Sequence, residues 1–404
     1  MTVGRLEVGV QIDGRTAVAG TAHFVRRGRS LSTTFTYRPA YLTLPNSYAL
    51  DPDLDLVLGP LHTDGLPRAF ADCAPDRWGR NLIQKRIRAQ AAQDRRTQPA
   101  VDDTDYLVGV SDLTRQGALR FRPPGTEDWL ATDRAVPKLI ELPALLRASD
   151  RLSNDPDDLE AIKVLLGAGT GTLGGARPKA SVRDGERLLV AKFPKPTDEW
   201  DVIAWEATAL DIAERAGVIV PRRRLIHVDG RAVLLLDRFD RITDTRIGYW
   251  SAMTLLGAAD RQSGDYVDFA EALAEVGVDT AADLRQLWRR IALSVVIHNT
   301  DDHLRNHGLL RQGSGWRLSP AFDINPNPNV NELRSTTIGG AAPNAEIDAL
   351  MTYAPNFGLD RSTAGRTLDE VRHAARSWRN LAAANGVPAS HLGRFADTFD
   401  ADRH

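Results

Sequence analysis

Cysteine is almost absent: the 404 residues contain one, Cys73. A single thiol excludes an intrachain disulfide and a cysteine-built zinc site, and it fits a reducing compartment. Long apolar runs are missing as well. No stretch of eighteen apolar residues occurs, so no membrane-spanning helix is expected. The opening MTVGRLEVGVQIDG has no apolar segment of signal-peptide length. Neither charge sign is in excess, since 51 Lys+Arg against 53 Asp+Glu give a net charge of -2. Such a chain has no bulk electrostatic drive toward nucleic acid or membrane. Repeats and low-complexity tracts are also lacking. The expectation is a cytoplasmic globular protein of two or three packed units, because the length exceeds one ordinary core.

What is present is ordered along the chain. Asp13-Gly14 lies between runs rich in Val, Ile and Thr, which predicts a hairpin with a tight primed turn. DRWGRNLIQKRIRAQ predicts a helix, with Leu82, Ile83, Arg86 and Ile87 at helical spacing. YLVGVSDLTRQGALRFRPP predicts short strands closed by Pro123-Pro124. Residues 1–145 thus form an expected α+β unit. Beyond the polar stretch ASDRLSNDPDD comes a glycine-rich run, GAGTGTLGGARPK. A hairpin centred on Asp184-Gly185 follows, then a helix stopped by Gly217, then a hairpin around Asp229-Gly230. Val202, Trp205, Ala209, Ile212 and Ala213 share one face of that helix. Glycine loop, strand lysine and helix succeed one another in this way in the small lobe of a protein kinase. The remainder is mostly helical. Leu284, Leu287, Trp288, Ile291, Val295 and Val296 mark a buried stripe, and TLDEVRHAARSWRNLAAANG predicts a further helix ending at Gly386.

The most polar cluster, HNTDDHLRNHGLL, follows the buried stripe, and LSPAFDINPNP comes soon after. Asp301 and Asn306 are five residues apart, the spacing of the base Asp and metal-binding Asn in a kinase catalytic loop. A carboxylate there can orient an attacking hydroxyl and accept its proton. An amide oxygen can hold magnesium without adding charge, and a second carboxylate, Asp323, can hold it against nucleotide phosphates. Taken singly, Asp301, Asp302 and Asn306 could equally cap helices or shape a turn. His298, His303 and His307 could supply nitrogen ligands, but their spacing names no metal site. Lys192, in LLVAKF, suits phosphate contact, its stem packing while its ammonium reaches the ligand. Lys179 and Lys195 compete for that role, and Glu206 on the next helix could pair with Lys192. Gly171, Gly174 and Gly175 could wrap phosphates with backbone N–H groups, or form a plain flexible loop.

These segments together resemble the HipA-like serine/threonine kinases of bacterial toxin–antitoxin modules. NTDDHLRNHGLL resembles the family's catalytic loop and FDINP its metal-binding motif. GGARPKA, LVAKFPK and LLLDRFDR resemble its nucleotide-lobe segments, and FADCAPDRWGRNLI and GVSDLTRQGALRF its accessory domain. The resemblance implies an α+β, protein-kinase-like two-lobed fold: an accessory subdomain over 1–145, a nucleotide-binding small lobe over 146–240 and a helical catalytic lobe over 241–404. It implies ATP and Mg2+ as cofactors, Asp301 as the catalytic Asp, and Asn306 and Asp323 as metal ligands. Lys192, Gly174 and Gly175 would contact phosphate, and the hinge beside adenine would carry Asp237 and Phe239. Family members silence themselves by autophosphorylating a serine of the glycine-rich loop. This chain has Thr172 there, with Thr170 just before it. The partners implied are a small helix-turn-helix antitoxin, DNA only through that antitoxin, and a protein substrate such as an aminoacyl-tRNA synthetase. Two alternatives stay open, a small-molecule kinase and a non-catalytic co-repressor.

Overall fold

In the first ten residues of the described chain, apolar side chains face one layer and Asp13-Gly14 then reverses the chain. Both turn residues take positive φ, 48° and 76°, as a two-residue primed turn demands. Strands β1 (Arg5–Ile12) and β2 (Arg15–Arg27) pair through that turn. β3 (Ser30–Tyr37), β4 (Pro60–Asp64) and β5 (Leu119–Arg122) complete an antiparallel sheet in the order β4-β3-β2-β1-β5. Phe35, Tyr37, Phe70 and Phe121 pack its buried face edge to face. The computed structural model describes residues 4–28, 30–98, 100–130, 135–169, 177–259 and 262–400.

The chain forms two units. One comprises Met1–Thr197, Val228–Arg231 and Leu235–Trp250; the other comprises Asp198–His227, Ala232–Leu234 and Ser251–His404. In the first, helix α1 (Arg77–Gln93) packs with α2 (Leu142–Asn154) and α3 (Leu159–Gly167) around Leu82, Ile83, Leu152 and Leu165. The hairpin of β6 (Lys179–Asp184) and β7 (Arg187–Lys192) follows. Asp184 pairs with Arg187, so the turn residues are Gly185 and Glu186 rather than the expected Asp184 and Gly185. Gly185 alone supplies the positive φ, leaving Asp184 extended in the strand.

YLVGVSDLTRQGALRF also departs from its expectation. Asp103–Gly109 is a helix, because Asp102 and Asp105 form a reciprocal capping box at its start. Only Leu119–Arg122 is strand.

In the second unit, α4 (Val202–Arg215) buries nearly every residue from Ile203 to Ala213, not one face. Trp205 stacks on Phe395, with ring centroids 3.8 Å apart, and Trp378 and Phe399 extend the aromatic cluster. Helices α5 (Tyr266–Val276) and α6 (Thr280–Val296) lead to the hairpin of β8 (Gly308–Gln312) and β9 (Gly315–Leu318). The expected single helix near the C-terminus is two, α7 (Arg361–Ala375) and α8 (Trp378–Ala384). The break falls where Ser377 bonds the Ala374 carbonyl through both its N–H and its hydroxyl. Among the described residues, no helix is long and apolar enough to cross a membrane.

Candidate functional site

Helix α6 stops abruptly, and the stop builds the loop after it. The Asn299 N–H donates to the Ser294 carbonyl at 2.8 Å, and His298 takes a left-handed φ of 52°, a place glycine usually fills. His298 is held there by a 2.9 Å contact between its Nε2 and the Asn329 carbonyl. Thr300 is fixed next. Its carbonyl accepts the Ser335 N–H at 2.9 Å, and its hydroxyl accepts from Asn327 at 2.7 Å.

The chain then makes a tight turn from Asp301 to Asn306. The Asp301 carbonyl accepts the His303 N–H at 3.0 Å and the Asn306 side-chain amide at 3.1 Å. The Asn306 N–H closes the turn on the His303 carbonyl at 2.8 Å. Asn306 therefore spends its Nδ2 on the loop while its Oδ1, buried, has no hydrogen-bond partner. Buried carbonyl oxygens rarely lack a donor, and this one suits a cation. The Asn325 Oδ1 and the His303 Nδ1 are likewise buried without a partner.

Asp323 is held in a left-handed backbone conformation, φ 59°, uncommon for a non-glycine residue outside functional turns. Its carboxylate acts on Asp301. Partial burial raises the Asp301 pKa, His303 opposes the rise, and Asp323, Asp302 and Glu332 add to it. Asp301 nonetheless keeps part of its side chain accessible to solvent. Asn306 is thus bonded to the Asp301 carbonyl, and the charge of Asp323 is felt at Asp301. Among the described residues no three of His, Cys, Asp and Glu converge as a metal-holding set. A cation here would rest on one carboxylate, one amide and oxygens of its ligand, a combination magnesium accepts.

Beneath the loop lies a network with almost no trace in sequence. Asp302 is buried; the Tyr266 hydroxyl donates to its Oδ2 at 2.6 Å, and His307 Nε2 stands 3.0 Å from its Oδ1. The latter is an ion-pair distance without good hydrogen-bond alignment, since both His307 nitrogens lack an aligned partner. Burial alone would raise the Asp302 pKa, yet His307, Tyr266 and Arg334 hold it well below the usual carboxylate range. Arg334 in turn donates to the Asn299 carbonyl at 2.7 Å and to Glu346 at 2.7 Å. Tyr266 and Arg334 lie more than thirty residues from Asp302, so spacing could not reveal them. Asn325, in the same FDINP motif as Asp323, could have been suspected from its position.

In the first unit, Lys192 ends β7 and is 4% exposed. Lys179 stands directly across from it on β6, equally buried, and its ammonium pairs with Asp76 at 2.5 Å. Lys179 is thereby committed to the N-terminal segment, and Asp76 also caps α1 through the Gly79 N–H. Asp237 pairs with Arg187 at 3.2 Å, at the opposite end of β7 from Lys192. Phe239 is half-buried, and between them Arg238 is wholly enclosed. Thr170, Gly171, Thr172, Gly174 and Gly175 lie outside the described residues.

Comparison with known proteins gives a consistent result. The HipA-like C-terminal domain matches residues 171–378, more than half of the chain, and the HipA N-terminal domain matches residues 15–98. The protein named Putative kinase Y4mE, from Sinorhizobium fredii (strain NBRC 101917 / NGR234), is 25% identical over 229 residues, 52% of this chain and 53% of that protein. Putative kinase Y4dM of the same strain is 26% identical over 185 residues, 42% of this chain and 41% of that protein. The chain thus spans about half the length of the curated relatives it matches. A chain of the solved Shewanella oneidensis MR-1 toxin–antitoxin complex of HipA, HipB and operator DNA superposes with a TM-score of 0.69 at 14% identity. That alignment covers 98% of this chain and 95% of the other, a likeness of fold. With both family domains matched in order and the fold shared nearly end to end, this chain belongs to the HipA family and has its kinase-like α+β fold.

Proposed function

We propose that this protein is an ATP- and magnesium-dependent serine/threonine protein kinase acting as the toxin of a toxin–antitoxin module. The observation that carries the reading is the Asn306 side chain, tied by its Nδ2 to the Asp301 carbonyl while its buried Oδ1 has no partner. Asn306 and Asp323 would hold magnesium, which when bound neutralises charge on the nucleotide phosphates. Asp301, exposed and with its pKa raised, orients the acceptor hydroxyl and takes its proton. Lys192 contacts phosphate, its buried stem fixing the ammonium. The backbone around Asp237 and Phe239 reads adenine, and Gly174 and Gly175 cover the phosphates. Residues 1–145, 146–240 and 241–404 serve as accessory, nucleotide and catalytic segments.

Family resemblance extends the reading to regulation. Phosphate placed by the protein on its own Thr172, or failing that Thr170, adds about −1.5 to −2 charge beside the triphosphate and weakens ATP binding. The test is incubation with ATP, with and without magnesium, followed by peptide mass mapping and calorimetry of nucleotide binding. Wild type takes up phosphate on Thr172 or Thr170 only with magnesium, and Asn306→Ala loses the magnesium dependence of binding. Nucleotide binding by wild type that ignores magnesium, or phosphate incorporation confined to other segments, refutes the respective part.

The solved Shewanella complex contains HipB and operator DNA. That complex supports an antitoxin as partner, with DNA reached through it. The family resemblance adds that the antitoxin is a small helix-turn-helix protein and that the target is a translation-related protein, such as an aminoacyl-tRNA synthetase. A net charge of -2 gives this chain little affinity of its own for DNA. Tight, salt-sensitive operator binding by the isolated chain counts against that division.

A further inference from the structure

Residues 238–241 carry a buried ionic cluster that the proposed chemistry does not use. The Asp240 carboxylate is fully enclosed, with Arg238 Nη2 at 2.6 Å, Arg238 Nε at 2.7 Å and Arg241 Nη1 at 2.8 Å. Its fourth donor comes from far away in sequence, the Gly117 N–H at 2.8 Å. The two arginines continue to the same distant turn. Arg238 Nη1 donates to the Thr114 carbonyl at 3.0 Å; Arg241 donates to the Gly117 carbonyl at 3.1 Å and also to the Arg115 carbonyl. Gly117 can approach so closely because its φ is 73°, and a Cβ there would come within 3.1 Å of Tyr249.

The turn is itself rigidly seated. Arg115 is fully buried and donates to the carbonyls of Cys73, Leu107 and Val110. Its other end abuts the base of the glycine-rich run, since a Cβ on Gly169 would lie 2.3 Å from the Thr114 hydroxyl. On the near side, the Arg238 N–H donates to the Leu188 carbonyl of β7, and the Ile247 N–H donates to the Asp240 carbonyl. The 236–241 backbone is therefore held on one side by β7 and on the other by residues 114–117. A buried carboxylate with three charge-assisted donors and a backbone N–H has a single low-energy geometry, unlike an apolar contact of similar size.

We propose that Asp240 is a positioning residue for base recognition: it fixes the backbone of residues 236–239 against the Thr114–Gly117 turn of the N-terminal segment, and so sets how well adenine is bound. This rests on the reading of the backbone around Asp237 and Phe239 as the nucleotide hinge. The N-terminal segment then acts in nucleotide binding without touching the nucleotide.

The experiment uses the full chain and calorimetry with adenosine, ATP and GTP, beside thermal melting. Adenosine has no phosphate, so its affinity isolates the base-reading backbone from the metal and lysine contacts. Asp240→Asn keeps the shape but removes the charge and replaces one of two accepting oxygens by a donor NH2. It should bind adenosine and ATP about tenfold more weakly, with a reduced preference for ATP over GTP. Arg241→Lys retains the charge but loses the fork joining Asp240 to the Arg115 and Gly117 carbonyls. It should shift all three readouts in the same direction by less, and it decides the matter if Asp240→Asn does not fold. A lower melting temperature with unchanged adenosine affinity and base preference in the folded variants overturns the proposal, because Asp240 would then be purely structural. If wild type binds ATP no better than GTP, the hinge reading itself fails, and that control separates the two failures.

Discussion

Replacing Asp301 with asparagine should lower phosphoryl transfer by about a hundredfold or more without changing the thermal melting temperature. Asp301 is solvent-exposed, and the loop is held by its carbonyl rather than by its carboxylate. The turn closed by His303 and Asn306 therefore survives the substitution, and so does the position of the Asn306 Oδ1. What is lost is a group able to accept a proton, since an amide oxygen cannot do so at neutral pH. Nucleotide affinity should stay close to wild type. The assay is transfer from radiolabelled ATP, with melting and calorimetry as controls. Near-normal transfer by a well-folded Asp301→Asn protein would remove Asp301 from the chemistry.

The neighbouring residue should show the converse. Asp302→Ala should destabilise the protein by about 3 kcal/mol, because it strands partners that are themselves buried. Tyr266 loses the acceptor of its hydroxyl, and His307 loses the carboxylate 3.0 Å away. The effect should depend on pH with a definite sign. The Asp302 carboxyl titrates well below its usual range in the folded protein. Its contribution is therefore complete above the unfolded pKa of about 4 and is lost as the pH falls from there through the depressed folded value. Denaturant midpoints of wild type and Asp302→Ala should differ clearly at neutral pH and converge in acid. Comparing the two proteins also cancels Asp51, whose pKa burial pushes up to about 6 and which acts with the opposite sign. Equal midpoints at neutral pH would show that the Asp302 network contributes nothing to stability.

Adjacent aspartates thus have opposite surroundings, one exposed and one buried. In sequence, Asp301 and Asp302 are interchangeable members of one polar run. In the fold, one faces solvent over the loop and the other points into the lobe beneath Tyr266 and Arg334. The five-residue spacing to Asn306 was legible, because a tight turn with one side chain bonded back to its first carbonyl is a local structure. The left-handed φ of Asp323 was not, since nothing in FDINP demands it without the packing around Phe322 and Ile324.

Secondary structure divides in the same way. The Asp13-Gly14 turn and the stops at Gly217 and Gly386 follow from local propensity, whereas α6 keeps its expected stripe only from Leu284 to Trp288 and is buried all round from Arg290 to Val295, with Val296 half-buried. The capping box of Asp102 and Asp105, the shift of the Asp184-Gly185 turn and the break at Ser377 depend on hydrogen bonds that compete closely with the simple pattern.

By itself the sequence determined the Asp13-Gly14 turn, the helix stops at Gly217 and Gly386 and, through its motifs, the resemblance to the family and its fold, because turns, helix periods and motif spacings are short-range properties. Tertiary structure decided which lysine is paired with Asp76, which aspartate is buried, and that Asp240 and its two arginines bond residues 114–117. Those outcomes depend on which charges are taken out of water together, and burial is settled by contacts between residues up to a hundred positions or more apart.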